Sequence, residues 1–245
     1  MDKKLSKHAN VLISCILFFA ILLIAFYPST ISAYNTDTSI KINKNSSLSE
    51  NKTILLTGFG PFDIYEENPS QIIVEELNGS IINNYSIISW VLPVNFTTVS
   101  PIIKSLITDY KPDLILMLGL APNASAIRLE TLAINMQYDP YIPNPYLHLK
   151  RIDKQGPFFI RSTLDIMTSY YLIREKKIPV EISFSAGWYL CNTVFYETNL
   201  FIKQQQLDIP AGFVHIPRFI QDNPNGLPME SMIESILLII QAQHK

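Results

Sequence analysis

Cysteine is nearly absent from this sequence: there are two among 245 residues, Cys15 and Cys191. Cys15 lies inside an apolar run, so the remainder of the chain holds one thiol and no internal disulfide. A lone thiol is either a buried core residue or a reactive group. Histidine is also scarce, at four residues, and two of them, His8 and His244, lie near the chain ends. An excess of basic charge is missing as well. The formal net charge is -2 and the pI is near 6.1, which excludes the positive field that nucleic-acid binding uses. With 48% hydrophobic and only 16% charged residues, a chain of this length buries a sizeable core, and one large α/β domain is the simplest reading.

What is present begins with an unbroken apolar run from Val11 to Tyr27, preceded by Lys3, Lys4 and Lys7 and followed by Pro28 and Ile31-Ser32-Ala33. A basic start, an apolar stretch and a small residue predict a secretory signal cut after Ala33. The run also reaches the lower end of the ~17–25 residues that span a bilayer, so an uncleaved membrane anchor through residues 11–27 is the alternative. With the lysines held inside, either outcome exports the rest, secreted or anchored outside the cytoplasm. Asn-X-Ser/Thr triplets at Asn45, Asn51, Asn78, Asn84, Asn95 and Asn123 agree with an exported glycoprotein. Residues 34–52 are polar and rich in Asn, Ser and Lys, which predicts a flexible linker. The expected organisation is therefore 1–33 leader or anchor, 34–52 linker and 53–245 folded domain.

Within that domain, apolar runs alternate with helical patterns, the signature of a mostly parallel sheet covered by helices. Strands are expected at Ile54–Thr57, Ile87–Val91, Leu114–Leu118, Val180–Ser185 and Gly212–Ile216, with an extended stretch at Ser125–Ile134. Helices are expected after Asn68-Pro69, over Val99–Asp109, near Leu164–Lys176, from about Tyr189, and over Met229–Gln243. Asn68 and Pro69 are cap chemistry, and Gly79 is a stop. A Pro- and Tyr-rich loop runs from Tyr138 to Pro157.

In such sheets ligands bind beyond the carboxyl ends of the strands. Cys191 falls in the first turn of a helix, where unpaired N–H groups and the helix dipole favour a thiolate and can hold an oxyanion. The other reading of Cys191 is a core residue. His215 ends a strand just before Pro217, while His148 lies in the Pro/Tyr-rich loop; both are candidate bases. Glu130 sits among apolar neighbours, where a carboxylate needs a partner, either an imidazole or a cation such as Arg128.

Together with their flanks these residues resemble pyroglutamyl-peptidase I, also called pyrrolidone-carboxylate peptidase, over nearly all of residues 53–245. The resemblance is carried by Thr57-Gly58-Phe59-Gly60-Pro61-Phe62, Glu67-Asn68-Pro69-Ser70, Leu92-Pro93-Val94, Glu130 with Ala133 and Asn135, Ser185-Ala186-Gly187 through Cys191-Asn192 with Phe195-Tyr196, and Gly212 to Pro217, in the family's order. It implies a three-layer α/β/α sandwich and a cysteine exopeptidase that removes N-terminal pyroglutamate from peptides. Cys191 would be the nucleophile, His215 the base and then acid, and Glu130 the group that orients the imidazole. Phe59, Phe62 and Tyr189 would wall the pocket for a small, flat, uncharged lactam. No metal or cofactor is called for, and a homo-oligomer is expected.

Two departures stand out. Leu120 replaces a glutamine that many members carry, and Tyr141 is the nearest residue to an arginine assigned to their oxyanion hole; a tyrosine O–H donates one bond without the charge. These departures define two rival readings, a non-catalytic relative kept as a binding module and a cysteine amidase with another acyl specificity.

Overall fold

The computed structural model describes residues 42–43 and 52–243. In chain order the strands are β1 (Ile42–Asn43), β2 (Lys52–Phe59), β3 (Ile81–Ile82), β4 (Tyr85–Leu92), β5 (Leu114–Leu120), β6 (Ile127–Glu130), β7 (Leu132–Ile134), β8 (Gln137–Tyr138), β9 (Leu149–Lys150), β10 (Phe159–Arg161), β11 (Val180–Ser183) and β12 (Ala211–Ile216). The helices are α1 (Pro69–Leu77), α2 (Val99–Tyr110), α3 (Ile166–Glu175), α4 (Leu190–Gln204) and α5 (Met229–Ala242).

Eight strands form the main sheet in the order β1-β3-β4-β2-β5-β12-β6-β11. Strands β4, β2, β5 and β12 are mutually parallel. They read as continuous apolar runs because both faces are covered, as is usual for parallel strands. Alternation of side chains sorts the core into two layers. Ile54, Leu56, Leu116, Leu118, Val214 and Ile216 face α1, α3 and α5, whereas Leu55, Ile115, Met117 and Phe213 face α2 and α4. The result is the expected three-layer α/β/α sandwich.

The direction of the last two strands differs from a simple parallel reading. β6 runs antiparallel to β12, with Phe213 opposite Glu130 and His215 opposite Arg128, and β11 is parallel to β6. Glu130 thus reaches the site as a diagonal cross-strand neighbour and not from the carboxyl end of a parallel strand. The Pro- and Tyr-rich loop also contains pairing, since β8 and β9 form a small antiparallel ribbon, and just beyond it β10 pairs with β7.

Local chemistry places the elements around the cleft. Asn68 caps α1 by accepting a bond from the Ser70 N–H, with Pro69 in the first turn where no N–H is needed. Gly58 lets that helix start lie on β2, since a Cβ there would press into the Ser70 carbonyl. Among the described residues no helix is long and apolar enough to cross a membrane. The apolar run of residues 11–27 lies outside the described residues.

Candidate active site

Alternation along β12 puts His215 on the same side as Phe213, beneath α4, and the register with β6 puts Glu130 on that side too. Helix α4 follows the loop after β11 and begins immediately beyond Tyr189, its N-cap. The first backbone bond back into the cap is donated by Thr193 to the Tyr189 carbonyl, so the Leu190, Cys191 and Asn192 N–H groups precede the intrahelical ladder. Cys191 is half-buried, and among the described residues its thiol is free.

His215 Nδ1 donates to Glu130 Oε1 at 2.8 Å, which leaves Nε2 for Cys191. Glu130 is wholly buried, and its Oε2 has no hydrogen-bond partner among the described residues. Arg128 pairs instead with Glu181, so the imidazole is the partner that Glu130 requires. Burial is the largest influence on His215 and pulls its pKa down. Cys191, through charge and a hydrogen bond, and Glu130, through a hydrogen bond and charge, act the other way and together carry it to about 9. His148 is not at the thiol. Its Nε2 donates to the Ile142 carbonyl at 2.8 Å, and its ring lies edge-on to Tyr138.

Beside the thiol lies a narrow apolar hollow, open to solvent, lined by Phe59, Phe62, Asn68, Val94, Leu120, Tyr189 and Leu190. The three aromatic residues expected to wall a pocket are thus brought together with Cys191, and Leu120 joins them. Asn68 is the polar side chain of this wall besides Tyr189, and it is already bonded to Gly60 and Ser70. Tyr141 stands at the rim: it is 71% exposed, and its hydroxyl bonds to that of Tyr189. Burial first, then that bond and the nearby charges of Asp139 and Cys191, push the Tyr189 phenol upward, so it stays protonated. The expected donor to an oxyanion therefore meets a pocket wall.

Sequence reasoning passed over the seat of the thiol. Gly119 faces the same layer as His215, its partner in register across β5 and β12. A Cβ at Gly119 would come 2.8 Å from Cys191 Sγ and 2.7 Å from the Phe213 ring. The signal was a glycine within an otherwise apolar buried strand, which often marks a close approach.

The family model described as pyroglutamyl peptidase matches residues 52–244. The pyrrolidone-carboxylate peptidase of Saccharolobus islandicus strain L.S.2.15 is 35% identical over 198 residues, covering 77% of this chain and 93% of the relative. That of Oceanobacillus iheyensis is 38% identical over 167 residues, covering 68% and 84%. Among solved structures, the pyrrolidone carboxyl peptidase of Thermococcus litoralis superposes with a TM-score of 0.72 at 30% identity, over 78% of this chain and 92% of the other. Pyroglutamyl peptidase I of Bacillus amyloliquefaciens gives 0.73 at 28% identity, over 79% and 96%. Fold and kinship define the class, a cysteine peptidase on an α/β/α sandwich. The chain belongs to the pyroglutamyl peptidase family.

These relatives correct the reading of an exported glycoprotein. They are archaeal and bacterial pyrrolidone-carboxylate peptidases, and the Saccharolobus enzyme is matched over 93% of its length by only 77% of this chain, which leaves almost none of it for a counterpart to the leader. The relatives therefore count against the signal peptide, transmembrane anchor, secretion and glycosylation expected from the sequence.

Proposed function

We propose that this chain hydrolyses the bond after an N-terminal pyroglutamyl residue of peptides, with Cys191 as nucleophile, His215 as the proton carrier and Glu130 as the group that orients it. The observation that carries this reading is one imidazole held between the Glu130 carboxylate at 2.8 Å and the thiol of Cys191, at the floor of an aromatic hollow. The raised His215 pKa supports a thiolate–imidazolium pair at neutral pH.

In this mechanism the imidazole takes the thiol proton and the thiolate adds to the pyroglutamyl carbonyl carbon. The negative oxygen is held by the free N–H groups at the start of α4. Collapse breaks the C–N bond, His215 gives its proton to the leaving amine, and a thioester remains on Cys191. A water then loses a proton to His215 as it adds to the thioester. The second tetrahedral intermediate expels the thiolate and pyroglutamic acid leaves. Tyr141 acts here as a brace for the Tyr189 wall through its hydroxyl.

The walls suit a flat lactam that carries no charge. Leu120 supports a second reading, a cysteine amidase for a less polar acyl group, because it lengthens the apolar side of the hollow. A panel of fluorogenic amides tests both: pyroglutamyl amide should be cleaved and open-chain glutaminyl amide refused. Faster cleavage of an apolar acyl amide than of the pyroglutamyl one would favour the second reading.

A further inference from the structure

Asn192 follows the thiol in sequence, yet its side chain turns away from the cleft. It is wholly buried on α4, and all its partners lie on one passing segment. Its Oδ1 accepts from the Ile134 N–H at 2.8 Å, and its Nδ2 donates to the Ile134 and Met136 carbonyls, both at 2.8 Å. Both amide hydrogens and the acceptor oxygen are thereby used on backbone groups. Buried backbone groups left without partners are costly, so this pattern fixes where the segment can run.

The segment is the connection between two parts of the site. It leaves Glu130 through β7 and enters the β8–β9 ribbon that carries Tyr141. Further bonds tighten the same seam. Asn135, also wholly buried, donates to the Asp153 carbonyl at 2.7 Å and accepts from the Asp153 N–H at 2.9 Å. Tyr196, one turn beyond Asn192 on α4, donates its hydroxyl to the Pro157 carbonyl at 2.7 Å. At the far end the Tyr138 N–H donates to the Trp188 carbonyl at 2.6 Å, and the Tyr141 hydroxyl meets Tyr189.

We propose that Asn192 is a positioning residue: its amide clamps residues 134–136 to the helix bearing Cys191, and so holds the Tyr141 ribbon in register as the outer wall of the cleft. The helix that presents the nucleophile thus also sets the substrate wall. This inference rests on the function proposed above, since the wall matters for turnover only if an acyl group occupies the hollow.

The test compares Asn192→Ala with wild type in the full chain, by turnover of a pyroglutamyl amide, alkylation of Cys191 by iodoacetamide, and hydrogen exchange over residues 137–150. A misplaced wall should lower kcat/KM by about 10²-fold, with KM raised, because small displacements of a positioned group cost that much. Exchange in the ribbon should speed up, while alkylation, which needs no pocket, stays near the wild-type rate. Wild-type kcat/KM with unchanged exchange overturns the proposal. So does alkylation that falls as far as turnover, because the residue would then act on the thiol itself. Should Asn192→Ala fail to fold, Asn192→Asp keeps the bond from Ile134 but turns an acceptor towards two carbonyls, and the same three readouts apply. If the wild-type protein cleaves no pyroglutamyl amide, the proposed function fails while the exchange comparison still decides the clamp.

Discussion

At the scale of single residues, the site is set by contacts that each have one chemical reason. Gly119 is glycine because the thiol and the Phe213 ring occupy the space a Cβ would take. Gly119→Ala should therefore keep the fold and lower kcat by about 10²-fold by shifting Sγ, with KM little changed; wild-type kcat would mean that the strand yields instead. Cys191 and Glu130 hold the His215 pKa near 9 against the effect of burial. On the proposed mechanism, activity falls as pH rises through about 9, where the imidazolium loses the proton meant for the leaving amine. Removing one of the two negative groups in Glu130→Gln should move that alkaline limb towards the ordinary histidine range, near 6.5. A pH profile of kcat/KM checks the shift, and an unmoved limb would mean that some other group titrates there. The resemblance motifs made Cys191, His215 and Glu130 legible in the sequence. Apart from that resemblance, residue chemistry left the partner of Glu130 open, because Arg128 and an imidazole are equally good until register places Arg128 against Glu181.

At the scale of elements, the helices and longer strands were legible because each carries a period or a cap: Asn68-Pro69 starts α1, and buried apolar runs mark β2, β5 and β12. The strands β8, β9 and β10 were not, since two or three residues hold no period to read and their pairing is decided by partners far along the chain. The reversed direction of β6 was hidden for the same reason. Helix α4 does two tasks at once. Its buried face fills the core with Val194 and Phe195, and its first turn presents Cys191. Phe213 links the two, with its ring 6.1 Å from Phe195 and 4.9 Å from His215. Phe195→Ala should cost about 3–5 kcal/mol of stability by leaving a cavity. It should also lower activity in protein that remains folded, as Phe213 loses its support. Urea denaturation together with turnover checks both, and a stability loss without any change in kcat would uncouple the core from the site.

At the scale of the whole molecule, the sandwich separates support from chemistry. One layer, under α1, α3 and α5, is dominated by hydrophobic packing, while the other opens at the strand ends into the hollow beside Cys191. The proton on His215 couples the two. Because the folded pKa lies above the ordinary value of about 6.5, that proton stabilises the folded protein fully below about pH 6.5 and the gain is lost as pH rises through about 9. Melting temperature should fall across that window, and less so in His215→Gln; equal slopes would assign the loss to other groups. The central claim, that Cys191 carries the acyl group, is tested most directly by acid-quenching the enzyme during turnover of a pyroglutamyl ester and weighing it by mass spectrometry. The account predicts one pyroglutamyl adduct, located on the peptide containing Cys191 and labile to hydroxylamine as a thioester is, and none in Cys191→Ala. Turnover that persists in Cys191→Ala, or an adduct found on another residue, would contradict it.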